Sequence, residues 1–370
     1  MKITFVLPTV NLSGGIRVVA IYARLLQQRG HKVFVVSVAH EQPSLTEQFR
    51  SLLKGQGWID IPKHLPSHFD NLDVPHKIIP QGHQLADEDV PDADVVVATF
   101  WYTAEWVAKL SPQKGAKAYF VQGHEVFGGA GAATYQLPLH KIVISQFLLK
   151  LMRDKYGDPN LSFVPNSVDL QQFNAPIRSK QKVPTVGMLY STEIERGCDI
   201  NLRAIALVQK EIPKLRLVAF GVSKPSSELP LPPNSKYVRQ PSQDTIKNIY
   251  AQCDAWLFGS REEGFGLPIL EAMACRTPVI AVPGGAAPEL LADGNGILVE
   301  PDNPLDMAKA IKHVCQLSNS EWQSMSERAY SKAGSYSWQD ATSLFEVALQ
   351  RAIEKQQPSS LSTASAIACK

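Results

Sequence analysis

The chain has 370 residues, more than one hydrophobic core usually serves, so two domains of ordinary size are expected. With 44% hydrophobic and 19% charged residues and a net charge of +2, it has an ordinary globular composition and gives no sign of a nucleic-acid partner. Cys198, Cys253, Cys275, Cys315 and Cys369 are far apart and form no CxxC pair, so they support neither a disulfide framework nor a zinc site and read as free thiols of a reducing compartment.

Residues 2–7 read as a buried strand, too short for a signal peptide and without a small-residue cleavage site. No apolar run approaches bilayer-spanning length, and a cytoplasmic protein is expected. The loop 8–15 is polar and carries glycine, 16–29 reads as a helix stopped at Gly30, and 33–38 as a second strand. Such a βαβ unit implies parallel strands, with the loop at their carboxyl ends where open α/β sheets bind ligands. Gly14 and Gly15 fall in that loop. They are not a GxGxxG fingerprint, and no acidic residue closes the second strand for a ribose, which disfavours a dehydrogenase.

Residues 41–92 are the least readable part. They hold His64, His68, His76 and His83 at irregular spacing, with no acidic or thiol partner at a ligand-like interval, and these read as solvated loop histidines rather than a metal site. Residues 95–99 and 118–122 are further strands, the second delivering Gly123, His124 and Glu125 to the sheet's carboxyl edge, where function concentrates. A glycine-rich loop, 128–133, follows. Residues 141–145 begin the next unit, and 146–156 read as a helix with Lys150, Arg153 and Lys155 among Phe147, Leu148, Leu149, Leu151 and Met152. That helix is expected to pack its apolar face on its own domain, with weak peripheral contact to an anionic membrane as the alternative.

The proline-flanked, basic segment 175–184 reads as an interdomain linker, and the pattern then restarts. Strands are expected at 185–190, 215–220, 254–259 and 297–300, and helices at 199–212, 243–251, 304–316 and 337–355. The Ser/Ala-rich tail is expected to be disordered and lacks a prenylation signal, since Ile367 stands where cysteine is needed.

One stretch organises the rest: Ser260-Arg261-Glu262-Glu263-Gly264-Phe265-Gly266-Leu267-Pro268-Ile269-Leu270-Glu271-Ala272-Met273-Ala274. It reads as a glycine loop leading from a strand into a helix, with Pro268 suited to the first turn. Gly264 and Gly266 let backbone amides approach a ligand, and the helix start points its positive end at the same place, which makes a seat for phosphate. Glu263 and Glu271 border that seat, a sensible arrangement if they accept hydrogen bonds from sugar hydroxyls. A nucleotide sugar offers phosphates and hydroxyls together.

These residues resemble the glycosyltransferases of family 4, whose second half carries a Glu-x7-Glu motif within EGFGLPILEAMA; Glu263 and Glu271 match it. Arg276 to Ala281 in the form RTPVIA, the pair Gly284 and Gly285, and Pro288-Glu289 match further family features, and Pro165-Asn166-Ser167-Val168-Asp169 is similar to its PNGVD with serine for glycine. The resemblance implies an α/β fold of the GT-B kind, two doubly wound Rossmann-like domains facing a central cleft. The division expected is 1–178 as the acceptor-side domain and 179–340 as the nucleotide-sugar-binding domain. A helix at 341–356 would pack back on the first domain, ahead of a tail at 357–370.

By the same resemblance, Gly14, Gly15 and the Ile16 amide approach the donor diphosphate or sugar, and His124 lies near the donor sugar's reacting carbon. Glu271 binds ribose hydroxyls, Glu263 a sugar hydroxyl, and the backbone of Gly264, Phe265, Gly266 and Leu267 the sugar or phosphate. Arg196, before Gly197, is the phosphate cation; Met188 stands where the family often has another, with Lys224 as a substitute. Asp92 and Asp94 spell the DXD of metal-dependent sugar transferases of another fold, but run straight into a strand and read as its start. The resemblance therefore implies a retaining, metal-independent glycosyltransferase without cofactor. It would move a sugar from a nucleotide-diphosphate donor to a carbohydrate or lipid-linked acceptor in polysaccharide or glycoconjugate synthesis, in the cytoplasm or peripherally at the inner face of a membrane. A GT-B nucleotide-sugar epimerase and a non-catalytic sugar-nucleotide binder are the rival readings. Residues 237–242, where the base would lie, carry no decisive code for it.

Overall fold

A computed structural model describes residues 1–55, 57–59, 65–126 and 129–356; His64, Gly128 and the expected tail 357–370 lie outside the described residues. The chain divides into two compact units, one of residues 1–143, 156–162 and 342 onward, the other of 144–155 and 163–341.

The first unit carries β1 (Lys2–Val6), α1 (Gly14–Gln28), β2 (Lys32–Val38), α2 (Leu45–Leu53), β3 (His76–Ile79), β4 (Val95–Ala98), α3 (Trp101–Lys109), β5 (Ala116–Val121), α4 (Ala130–Thr134) and β6 (His140–Val143). Helix α5 (Gln146–Asp154) falls in the other unit, and β7 (Ser162–Phe163) closes the first sheet. The strand order is β3-β2-β1-β4-β5-β6-β7, with parallel registers such as Phe5 opposite Val35 and Val97. Near-continuous apolar runs such as Val95–Ala98, all buried, are what a parallel sheet covered on both faces requires. Helix α1 opens at the double glycine itself, two residues earlier than its apolar period suggests. Within 41–92 the structure has α2 and β3, and two of the supposed solvated histidines are engaged. His76 Nε2 lies 2.8 Å from Ser37 Oγ and His83 Nε2 2.7 Å from Asp89 Oδ2. Asp92 and Asp94 hold the strand start, on Lys114 Nζ at 2.9 Å and the Lys2 amide at 2.6 Å.

The second unit carries β8 (Thr185–Leu189), α6 (Cys198–Gln209), β9 (Arg216–Gly221), β10 (Lys236–Arg239), α7 (Gln243–Tyr250), β11 (Ala255–Phe258), α8 (Leu267–Ala274), β12 (Val279–Ala281), α9 (Ala287–Leu290), β13 (Gly296–Leu298), α10 (Pro304–Gln316) and α11 (Asn319–Gly334). Its six strands are all parallel, in the order β10-β9-β8-β11-β12-β13. Renumbered from β8, this is the doubly wound order 3-2-1-4-5-6, whose switch point lies between β8 and β11. Met188, Ile205, Leu217, Leu257, Ile280, Ile311 and Trp322 build the core.

The last helix, α12 (Trp338–Gln356), finishes the first unit from residue 342 on. Phe345, fully buried, stacks on Tyr22 at 4.3 Å between ring centroids and meets Phe120 edge-on at 5.2 Å. Glu346 pairs with Arg29 at 2.5 Å and His31 at 2.6 Å.

The division differs from the one expected at residue 178, because 144–155 and 163–178 group with the second unit. Nor is 175–184 a loose linker. Arg178 donates to the Cys253 carbonyl and to Thr277 Oγ1, with its guanidinium 4.5 Å over the Trp322 ring. Lys180 donates to the Cys315 and Leu317 carbonyls, and the Gln181 amide to Asp254 Oδ1. Among the described residues no helix is long and apolar enough to cross a membrane.

Candidate functional site

In the second unit the site grows from the carboxyl ends of β8 and β11. Gly197 holds a left-handed φ of +62° and starts α6; a Cβ there would lie 1.8 Å from the Gly259 carbonyl, so only glycine lets the two loops touch. Arg261 then locks the 260 loop to the 194–199 loop. Its amide donates to the Glu195 carbonyl at 2.7 Å, and its guanidinium grips Asp199 in bidentate fashion at 2.8 and 2.9 Å. Its Nε donates to Asp302 Oδ1 at 2.6 Å, so every nitrogen of the planar fork is engaged. Sequence reasoning passed over Arg261; its one signal was its place beside the glutamates.

The loop that Arg261 fixes presents Glu263. Arg196 Nη1 donates to Glu263 Oε2 at 3.0 Å, and the backbone amides of Gly264, Phe265 and Gly266 favour the charged form of the same carboxyl. Burial pushes the Glu263 carboxyl above its ordinary range, while Arg196 and the three amides pull the other way. The cation read from sequence as part of a phosphate seat is thus held on a carboxylate of the chain itself, and Arg196 is an ion-pair partner here. Gly266 caps α8 with φ +94°, and α8 carries Glu271 inward. Glu271 is only 7% exposed and accepts from Tyr250 Oη at 2.8 Å.

The loop after β12 backs this arrangement. The Ala286 amide donates to the Phe265 carbonyl at 2.9 Å, and a Cβ on Gly285 would stand 2.7 Å from that oxygen. Met188 is fully buried in the core, which explains why no cation stands there, and Lys224 is exposed in the loop after β9. Leu267 opens α8.

The other predicted residues lie in the first unit. Gly14 and Gly15 form the first turn of α1, whose Ser13 makes no side-chain cap, and Ile16 is buried beneath it. The side-chain amide of Gln122 lies over Gly15, 3.5 Å from where a Cβ would be, and its Oε1 is buried with no hydrogen-bond partner among the described residues. His124, two residues on, has Nε2 3.0 Å from Tyr156 Oη and its ring against Tyr135. Tyr135 Oη accepts from the Glu125 amide at 2.7 Å and donates to the Gly123 carbonyl at 3.0 Å, bracketing the histidine. Glu125 Oε2 in turn accepts from the Trp101 amide at 2.7 Å, at the start of α3, and from Tyr119 Oη at 3.0 Å. Burial lifts the Glu125 carboxyl to about 7, with Tyr119 and the Trp101 amide opposing. Sequence placed Glu125 at the sheet edge without giving it a role, and Gln122 and Tyr135 carried no signal. Among the described residues no group of three or more His, Cys, Asp or Glu side chains is placed to hold a metal ion.

Residues 171–332 match the family model described as Glycosyl transferases group 1. The chain is 29% identical over 158 residues to the D-inositol 3-phosphate glycosyltransferase of Corynebacterium kroppenstedtii, a match covering 39% of this chain and 35% of that one. It is 27% identical over 182 residues to the GDP-mannose-dependent monoacylated alpha-(1-6)-phosphatidylinositol monomannoside mannosyltransferase of Corynebacterium glutamicum, covering 42% and 48%. This chain thus spans between about a third and a half of the length of these curated relatives. Among solved structures it is similar to Anabaena HepE in complex with UDP and glucose, with a TM-score of 0.72 and 17% identity over 95% of this chain and 100% of that one. What these likenesses show is the fold: two parallel-sheet α/β units of the GT-B kind seen in solved glycosyltransferases, the second holding the group 1 match.

Proposed function

We propose that the chain is a retaining glycosyltransferase of family 4 that takes a nucleotide-diphosphate sugar and transfers its sugar to a hydroxyl of a carbohydrate or lipid-linked acceptor, in polysaccharide or glycoconjugate synthesis. One observation carries the reading: Arg196 meets Glu263 at 3.0 Å in the glycine loop that leads into the helix burying Glu271. Breaking a glycosyl phosphate bond leaves negative charge on the departing diphosphate while the sugar becomes cationic, so donors aimed in advance at that charge lower the barrier. Arg196 and the loop amides supply such donors without a metal ion, and Glu263 exchanges them for a donor-sugar hydroxyl. Glu271 binds the nucleotide's ribose hydroxyls. Retention proceeds by front-face attack, with a donor phosphate oxygen taking the acceptor's proton, so no protein nucleophile is assigned. Gly14, Gly15, Ile16 and His124 are the first unit's candidates. The group 1 match over 171–332 and the solved complex of HepE with UDP and glucose support the reading.

The test is a thermal-shift and turnover screen against nucleoside diphosphates and their sugars, with wild type beside Glu271→Ala, Arg196→Ala and His124→Ala. A ligand that binds only the folded state raises the melting temperature. One nucleotide should stabilise the wild type and neither Glu271→Ala nor Arg196→Ala, and its sugar should be slowly hydrolysed or transferred. A converted but untransferred sugar nucleotide would point to an epimerase, and no binding at all would remove the donor site.

A further inference from the structure

Two carboxylates of the chain already hold Arg196. Its Nη1 donates to Glu263 Oε2 at 3.0 Å, and its Nε lies 3.5 Å from Glu193 Oε2, three residues back in the loop after β8. The two carboxylates differ in solvation, the Glu193 side chain being 68% exposed and that of Glu263 18%. Water screens the first pair, which contributes little. In the second, losing one charge leaves the other sheltered and uncompensated.

The surroundings of Glu263 do not replace that cation. Among the described residues Glu263 forms one ion pair, with Arg196. Arg261, two residues back, is engaged with Asp199 and Asp302. The loop after β12, Pro283-Gly284-Gly285-Ala286, carries no charge, and a Cβ on Gly284 would stand 3.7 Å from that of Glu263. Burial pushes the Glu263 carboxyl above its ordinary range even with Arg196 in place and the amides of 264–266 favouring charge, so taking Arg196 away raises it further. A diphosphate at this site therefore draws on a cation that Glu263 also needs. While the nucleotide carries its sugar, a sugar hydroxyl donates to Glu263 and stands in for Arg196. Once the sugar has gone, the carboxylate is left half-buried beside an anion, and a proton becomes its remaining partner. We propose that Glu263 and the diphosphate compete for Arg196, so that the spent nucleoside diphosphate, unlike the sugar nucleotide, binds with uptake of a proton by Glu263 and is expelled when Glu263 reclaims Arg196. The proton comes from solvent onto a Glu263 oxygen and returns to solvent at release. The proposal rests on the assignment of Arg196 to the donor diphosphate and gives the ion pair a part in product release.

The test is calorimetric titration of the full chain with UDP, or with GDP where GDP is the nucleotide that raises the melting temperature. It is run at pH 7.5 in HEPES and in Tris, whose different ionisation heats count the protons exchanged. At this pH the terminal phosphate is already almost fully ionised, and meeting Arg196 drives off only what remains, so uptake has its source in the protein. Wild type should take up about half a proton or more and bind more weakly as pH rises from 7 to 8.5, whereas the matching sugar nucleotide should take up none. Glu263→Gln should bind the diphosphate about three- to tenfold more tightly than wild type at pH 8, without the uptake, while turning over the sugar nucleotide more slowly. Glu193→Gln should change affinity by less than about threefold and keep the uptake, because its pair is screened. Nucleotide binding by wild type without proton uptake, or a Glu263→Gln that binds the diphosphate no more tightly than wild type, overturns the proposal and leaves the donor site standing. The wild-type proton count decides the matter by itself should Glu263→Gln fail to fold. A wild-type chain that binds no nucleotide loses the donor site, and the proposal with it.

Discussion

Glu125 gives the chain a pH-dependent stability whose sign and size follow from its surroundings. Its carboxyl ordinarily titrates near 4.5 and is lifted by burial to about 7. Between those values the folded chain keeps a proton that the unfolded chain has shed, so stability falls as pH rises through this window and levels off above it. A shift of about 2.5 units at about 1.4 kcal/mol per unit makes the loss about 3 kcal/mol. Glu125→Gln removes the titration but keeps an oxygen to accept from the Trp101 amide and Tyr119. The assay is unfolding of both proteins from pH 4.5 to 8.5, reading the gap between them so that all other titrating groups cancel. The variant should gain about 3 kcal/mol on the wild type across the window, roughly 6–12 °C in the melting of a unit this size. A gap that stays constant with pH would mean that Glu125 ionises as in water, and the account of a buried carboxyl bracing the histidine loop would be refuted.

Arg196→Ala should weaken binding of the donor's nucleoside diphosphate by about ten- to a hundredfold in calorimetry, since a charge-assisted bond contributes about 1.5–3 kcal/mol; unchanged affinity would free Arg196 from the donor site. Gly197→Ala combines a left-handed φ with a Cβ 1.8 Å from the Gly259 carbonyl and should cost about 3 kcal/mol or more, visible as a lower melting temperature of the second unit. Tyr250→Phe removes a donor to the buried Glu271 carboxylate and should cost about 1.5–3 kcal/mol in denaturant unfolding. Phe345→Ala empties the stack on Tyr22 and should destabilise the first unit by about 3–5 kcal/mol; a loss below 1 kcal/mol would show that α12 is not part of its core.

Most strands of the two sheets were legible because parallel strands covered on both faces are uniformly apolar, as in Val95–Ala98 and Ala255–Phe258, whereas β3, β7, β10 and β12 were not read. The 260–274 stretch was legible because glycine, proline and carboxylate spacing each constrain backbone or charge. Helix α2 was not, because its polar residues face inward, against the pattern that periodicity reads. Helix α11 was passed over even though Ser318 and Glu321 form a capping box at its start. Within the candidate site, Arg196 and Glu263 were each singled out, but not their pairing: side chains 67 positions apart meet only once Arg261 has tied two loops together. The anchoring of 175–184 was not legible for a similar reason. Arg178, Lys180 and Gln181 look like linker composition, and the carbonyls and carboxylate that hold them lie 73 to 137 positions away.

The placement of Phe345 also bears on how the chain is made. The aromatic cluster of Phe5, Tyr22 and Phe120 is completed by a residue that leaves the ribosome after the whole of 163–341. At bacterial to eukaryotic rates of about 5–20 residues per second, that intervening stretch of roughly 180 residues delays completion by roughly 10–35 s. By the end of that interval the whole of the second unit has been made while the first still shows an aromatic face. Synthesis therefore finishes the later-encoded unit first, and the exposed face of Tyr22 and Phe120 is what a chaperone would meet on the nascent chain.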